Sequence, residues 1–304
     1  MNKNISLINR IVKLKAEKNA VILAHNYQID EVQDIADFVG DSLQLSIEAA
    51  KVKCSIIVFC GVYFMAETAK IISPQKKVLM PDINAGCPMA DMIDEDNLLK
   101  IKKEHPGAVV VCYVNSSAAV KALSDICCTS SNAIRVVNSI PAEKEIIFIP
   151  DKYLGSYVRS RTGREMILWN GYCPTHVLIN VKAIITLKKE HLDAVVLVHP
   201  ECTPDVIETA DEVLSTGQML SFVKKSDKKE FIIGTEVGII HRMKKENPDK
   251  IFYPAQSRSI CPNMKLTNLE KILWSLEEEI HEIILPEKII KGAKTAIEKM
   301  LELR

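Results

Sequence analysis

Three cysteines are followed directly by proline, Cys87-Pro88, Cys173-Pro174 and Cys261-Pro262, and none of the other six is. The three are 86 and 88 residues apart. With 13 prolines in 304 residues, chance places proline after fewer than one of nine cysteines. Thiolates are metal ligands, and three from distant points of a chain serve one metal centre only if the fold brings them to a common point. Zinc with three cysteines and an open position is one candidate. An iron–sulfur cluster fits better, because thiolates are its normal ligands, usually four per cluster. A [4Fe-4S] cluster held by Cys87, Cys173 and Cys261 leaves one iron coordinatively unsaturated, a Lewis acid that polarises a hydroxyl, carbonyl or carboxylate.

The same interval recurs in residues of other types. His25-Asn26-Tyr27, Tyr113-Val114-Asn115 and His199-Pro200-Glu201 follow apolar runs at spacings of 88 and 86 residues, and Ser42, Ser130 and Thr216 keep those spacings too. A single histidine or tyrosine at the end of a strand is usually a satisfied structural residue. Six polar residues in matched register point instead to acid–base and hydrogen-bonding groups around one site. Among them Glu201 is the only carboxylate and the natural proton carrier. Ser42, Ser130 and Thr216 each open a helical pattern and read as N-caps. Three helix N-termini facing one cavity favour an anion, so the expected substrate carries carboxylates or a phosphate. Arg159, Arg161 and Arg164 read as a solvated helix face, and Cys54, Cys60, Cys112, Cys127, Cys128 and Cys202 as core.

Positioning these groups requires a repeated scaffold. Short apolar runs at 20–24, 55–60, 77–80, 108–114, 126–129, 145–149, 194–198, 231–235 and 250–253 alternate with amphipathic stretches. That alternation predicts parallel strands covered by helices on both faces. Helices beginning near Asn97 and Leu178 open the second and third units. The expected fold is α/β: three similar three-layer αβα domains with parallel sheets, in a pseudo-threefold arrangement around a central active site. The boundaries are 1–86, 87–172 and 173–265, with a C-terminal helical segment, 266–304, packing on the first. Ligands bind beyond the carboxyl ends of strands in such sheets.

Composition narrows the function further. Lys plus Arg and Asp plus Glu both count 39, so no basic excess suggests nucleic acid. No uncharged apolar run approaches the ~18 residues of a membrane span, and residues 1–15 are not a signal peptide. A cytoplasmic protein is expected, and nine cysteines there suit metal or redox chemistry more than disulfides.

The segments Ala24–Tyr27 (AHNY), Gly40–Leu43 (GDSL), Tyr113–Ser116 (YVNS), Thr129–Ala133 (TSSNA), Gly171–His176 (GYCPTH), His199–Cys202 (HPEC), Ser215–Gly217 (STG) and Cys261–Lys265 (CPNMK) resemble the quinolinate synthase family, in order and along nearly the whole chain. The resemblance implies a transferase of de novo NAD biosynthesis that condenses iminoaspartate (iminosuccinate) with dihydroxyacetone phosphate to quinolinate, releasing phosphate and water. It further implies that Cys87, Cys173 and Cys261 hold one [4Fe-4S] cluster per subunit. His25, Ser42, Tyr113, Asn115, Ser130, His199, Glu201 and Thr216 then contact substrate, Tyr27 closes over the site, and catalysis falls to Glu201, Tyr27, Tyr113, His199 and Asn115. An L-aspartate oxidase or dehydrogenase would supply the iminoaspartate. Two features depart from the family. Cys261 lacks the Cys-x-x-Cys-x-x-Cys run that some members carry, so no thiol switch is expected, and Asn170 stands where proline is usual. The rival readings are an iron–sulfur enzyme of the diphthamide-synthesis type acting on a protein, a generic iron–sulfur hydro-lyase, and a metal-binding scaffold without turnover.

Overall fold

Runs of β-branched and leucine residues form the strands, and their burial follows the two-residue period of a pleated sheet. In the computed structural model, which describes residues 3–303, Ile56, Val58 and Cys60 face one core while Ile57 and Phe59 of the same strand face another. The first unit runs α1 (Lys3–Glu17), β1 (Ala20–His25), α2 (Asp30–Ile35), β2 (Phe38–Gly40), α3 (Ser42–Lys51), β3 (Ile56–Cys60), α4 (Tyr63–Ile72) and β4 (Lys77–Leu79). The second runs α5 (Glu95–Glu104), β5 (Val109–Tyr113), α6 (Ala118–Ala122), β6 (Ile126–Cys128), α7 (Ala133–Asn138), β7 (Ile146–Ile149), α8 (Lys152–Thr162) and β8 (Ile167–Leu168). The third repeats the pattern with α9 (Val181–Glu190), β9 (Val195–Val198), α10 (Pro204–Glu208), β10 (Glu212–Val213), α11 (Thr216–Lys225), β11 (Glu230–Gly234), α12 (Ile239–Glu246) and β12 (Ile251–Pro254). Helices α13 (Leu269–Glu278) and α14 (Glu287–Glu302) complete the described chain. Residues 1, 2 and 304, at the ends of the expected first unit and C-terminal segment, lie outside it.

Each unit holds one parallel four-stranded sheet, ordered β2-β1-β3-β4, β6-β5-β7-β8 and β10-β9-β11-β12. The protein is therefore α/β with three similar αβα layers. Its interior strands are buried on both faces, as a parallel sheet between helices requires. The three short edge strands β2, β8 and β10 are additional to the nine expected runs. They are two or three residues long and bond a neighbour on one side only, so little apolar sequence marks them. Asp94 and Asn180 cap α5 and α9, close to the expected starts. Cys60, Cys112, Cys127, Cys128 and Cys202 are fully buried among apolar neighbours.

The C-terminal segment divides between two docking sites. Helix α13 packs on α1 of the first unit, with Arg10 paired to Glu277. Helix α14 lies on α6 and β6 of the second unit and touches α4 of the first. Its buried stripe is Ala293, Ala296, Ile297 and Met300, and Gly292 admits a close approach to Ala122. No described helix is long and apolar enough to cross a membrane.

Candidate active site

In each sheet the chain reverses direction of progress between the first and third strands, and crevices open beyond the carboxyl ends at that point. His25 ends β1, Tyr113 ends β5, and His199 follows β9, so equivalent positions of the three units converge. The local turn recurs as well. The Tyr27 amide donates to His25 Nδ1 at 3.2 Å, and the Glu201 amide to His199 Nδ1 at 3.3 Å. Burial pushes both imidazoles down to about 3, so they are neutral near pH 7. With Nδ1 accepting, the remaining proton sits on Nε2, and His199 Nε2 lies 3.2 Å from Ser130 Oγ.

One cavity, with a volume of about 70 Å3, is lined by all the residues singled out in the sequence: Cys87, Cys173, Cys261, His25, Tyr27, Ser42, Tyr113, Asn115, Ser130, His199, Glu201 and Thr216. Each Cys-Pro pair opens a 3-10 turn, at Ala90–Met92, His176–Leu178 and Asn263–Lys265. Proline has no N–H and a fixed φ, which leaves the amides two and three residues on to reach the sulfur. Met89 and Ala90 do so at Cys87, His176 at Cys173, and Asn263 and Met264 at Cys261. Asn170 accepts from Lys152 Nζ at 3.0 Å, and at Gly171 a Cβ would stand 2.4 Å from the Pro150 carbonyl oxygen.

Burial pushes all three thiols up, Cys87 to about 12, and their neighbours add to it: Cys261 and Glu201 at Cys87, Glu201 and Cys87 at Cys173, Glu236 at Cys261. Three neighbouring thiols of raised pKa become thiolates together only when a cation supplies compensating charge. That donor set fits an iron–sulfur centre. Ligand atoms of Cys173, His176 and Glu201 lie within 4.8 Å of one another, whereas the three cysteine sulfurs do not form such a group among the described residues. A single tetrahedral zinc draws thiolate sulfurs to within roughly 4 Å, given Zn–S bonds of about 2.3 Å, so the wider spacing suits a larger centre.

Against the Cys173 thiol, whose sulfur lies 3.1 Å from His176 Nδ1, runs a hydrogen-bonded chain drawn from all three units. Tyr113 Oη donates to Glu201 Oε1 at 2.5 Å, and Glu201 Oε2 lies 2.7 Å from His176 Nδ1. His176 Nε2 is 2.8 Å from Thr235 Oγ1, which is 2.5 Å from Tyr27 Oη. Burial alone would raise the Glu201 carboxyl. The adjacent His176, with hydrogen bonds from His176 and Tyr113, outweighs it and holds the group below the ordinary carboxylate range. Burial, reinforced by the Glu201 charge, pushes Tyr27 and Tyr113 well above the usual phenol value. An ionised acceptor thus sits between protonated donors.

The hydroxyl residues occupy different helix positions from those expected. Asp41 and Ser215 are the N-caps of α3 and α11, each in a capping box, while Ser42 and Thr216 are the first helical residues. Ser130 precedes α7, whose N-cap position is Asn132. The Asp41 and Ser215 oxygens take the helix amides, so the Ser42 and Thr216 side chains line the cavity instead of capping, and the Thr216 hydroxyl accepts from Asn26 Nδ2 at 3.1 Å. Ser131 Oγ lies 3.1 Å from Asp41 Oδ2 and 2.9 Å from Ser215 Oγ, joining the three units there. Among the described residues, Asn115 Oδ1 is buried without a hydrogen-bond partner. His176, Thr235, Glu236 and Asp41 belong to the site but escaped the repeat comparison. His176 could have been found from its place three residues after Cys173. Thr235 follows β11 where the equivalent residues are Gly61 and Pro150, so nothing in the repeat marks it.

Similarity to known proteins points the same way. The family described as NadA, quinolinate synthetase A protein, matches residues 9–302. The chain is 55% identical over 293 residues to a quinolinate synthase of Dehalococcoides mccartyi strain CBDB1, covering 96% of this chain and 97% of that one. It is 54% identical over 297 residues to that of Thermodesulfovibrio yellowstonii, covering 97% and 98%. With that of Methanosarcina barkeri strain Fusaro the identity is 53% over 298 residues, covering 98% of both chains.

Proposed function

The chain belongs to the quinolinate synthetase A family, and from that premise we propose that it condenses iminoaspartate with dihydroxyacetone phosphate to quinolinate, releasing phosphate and water. Cys87, Cys173 and Cys261 would hold a [4Fe-4S] cluster. The observation that carries this reading is the meeting of those three partly buried thiols and the Glu201 hydrogen-bond chain in one small cavity. When bound, the cluster supplies a Lewis acid at its one iron without a cysteine.

The protein's own residues account for the remaining chemistry. Ser42, Ser130, Thr216 and the helix starts around them offer donors to carboxylate and phosphate oxygens. Neutral His25 and His199 offer Nε2 protons to the same anions. Asn115 Oδ1 accepts an N–H or O–H, which a nitrogen-bearing substrate provides. Glu201 takes a proton from carbon or nitrogen, and Tyr113, bonded to it, returns one to a departing hydroxyl. Tyr27, Thr235 and His176 form a second relay to the same carboxylate. In this reading an L-aspartate oxidase or dehydrogenase supplies the iminoaspartate.

The Glu201 chain and the candidate anion-binding hydroxyls line one cavity of about 70 Å3, which favours small substrates over the protein substrate of a diphthamide-type enzyme. The test is anaerobic purification with iron and sulfide analysis, followed by assay with enzymatically generated iminoaspartate and dihydroxyacetone phosphate. About four irons per chain and quinolinate formation are expected. Glu201→Gln should keep its iron and lose activity by about 10²–10⁴-fold. Full iron with no quinolinate in the wild type would return the scaffold reading to first place.

A further inference from the structure

Glu236 is fully buried at the end of β11, on the wall that carries Cys261. One of its oxygens, Oε1, accepts from the Cys261 amide at 3.1 Å and pairs with Lys265 Nζ at 2.9 Å. The other accepts from the Gly238 amide at 2.7 Å. Lys265 closes the 3-10 turn that Cys261-Pro262 opens, and its ammonium also donates to the Tyr27 carbonyl oxygen. The backbone of Tyr27 is thereby tied, through one lysine and one carboxylate, to the amide of a cysteine in another unit.

The surroundings admit little slack. A Cβ at Gly238 would stand 2.7 Å from Lys265 Nζ, 2.8 Å from Glu236 Oε2 and 3.0 Å from the Tyr27 carbonyl carbon, so only glycine lets these groups meet. Gln33 Nε2 bonds the Asn26, Gln28 and Gly238 carbonyls at 3.2, 2.9 and 2.9 Å, and Gln28 Nε2 reaches Met264 Sδ at 3.5 Å. The Tyr27 segment thus leans on the Cys261 turn at several points, and its hydroxyl ends the Thr235 relay.

We propose that Glu236 and Lys265 are positioning residues that make the placement of Tyr27 depend on the state of the Cys261 turn. The proposal rests on the reading of Cys261 as a metal ligand. When Cys261 is engaged, its turn holds Lys265 against the Tyr27 carbonyl and the phenol is set in the cavity. When Cys261 is released, the turn relaxes and the 25–29 segment loses that anchor. Coupling of this kind is reciprocal, so ordering of Tyr27 also retains the metal.

Hydrogen exchange measured by mass spectrometry on the full chain tests this without assaying turnover. In the wild type, removing iron with a chelator should speed exchange of the 25–29 amides about tenfold, within the ordinary range of coupling between sites. Lys265→Met and Glu236→Gln should show the fast exchange in both states, with the β7 peptide as protected as in the wild type. Gly238→Ala should resemble Lys265→Met. Quinolinate should slow iron loss to the chelator in the wild type and not in Lys265→Met. Iron content of the wild type separates the two ideas. A chain that binds no iron overturns the cluster reading and the coupling together. A loaded chain whose 25–29 exchange ignores iron, or a Lys265→Met variant that keeps the wild-type dependence, overturns the coupling alone.

Discussion

Glu201 is the charge around which the cavity is arranged, and its neighbours set its state. His176 and the Tyr113 hydroxyl keep it ionised against the cost of burial. Removing one donor with Tyr113→Phe should lower kcat by about 10²-fold while leaving the iron in place, checked by steady-state rates beside iron analysis. The histidines give a separate, pH-linked expectation. His25 and His199 titrate near 3 in the folded chain but near ~6.5 when unfolded. Between those values the unfolded chain binds the extra protons, so their contribution to stability is complete above pH ~6.5 and is lost as pH falls toward the folded value. Each histidine should cost about 1.4 kcal/mol per pH unit across that window. Urea unfolding of the metal-free chain at several pH values measures the slope, and His25→Gln should remove one histidine's share. An unchanged slope in that variant would show that His25 is not held neutral by burial.

The helices place these groups through their ends. Because Asp41 and Ser215 take the capping bonds, Ser42 and Thr216 stand one residue further on with hydroxyls not used as caps, that of Thr216 accepting from Asn26 Nδ2 at 3.1 Å. Gly217 shares the junction, where a Cβ would come within 2.5 Å of Asp41 Oδ2. Gly217→Ala should therefore push α3 and α11 apart and raise KM for the phosphate-bearing substrate more than it lowers kcat. Equal effects on the two constants would argue against an anion-holding role. Helix α14 offers a contrast far from the chemistry. A side chain at Gly292 would press on the Ala122 backbone at 2.9 Å. Gly292→Val should cost about 1–3 kcal/mol of stability by overpacking, read as a lower Tm, with iron content per folded chain unchanged.

At the level of the assembled chain, the three sheets share one strand order, and the connections that carry the cysteines leave the fourth strand of each. A centre bound by all three connections stabilises the folded form by mass action, because the unfolded chain cannot present the same three thiols together. Chelation should lower the wild-type Tm. Serine at any one of Cys87, Cys173 or Cys261 should abolish that response to the same extent as at the other two, since each unit contributes one ligand. A single variant that keeps both its iron and its response would remove that cysteine from the ligand set.

Much of this was legible in the amino-acid order. Strand-end positions recur at 86 and 88 residues, and side chains at equivalent strand ends must meet if the units are related by a common axis, so the three cysteines and the paired polar residues could be picked out before any coordinates. The apolar runs marked all six interior strands, which are buried on both faces of a parallel sheet, and three of the six edge strands, β4, β6 and β12. What lies on the axis itself could not be read this way. His176 and Thr235 differ in type from their equivalents, Ala90 and Met264 for the first and Gly61 and Pro150 for the second, and the approach of Thr235 to Tyr27 exists only once the units are packed. The docking of α14 on the second unit is of the same kind, settled by a glycine crossing that spacing along the chain does not reveal. Local order determined which chemistry each unit brings, and packing across the units decided which side chains share a proton.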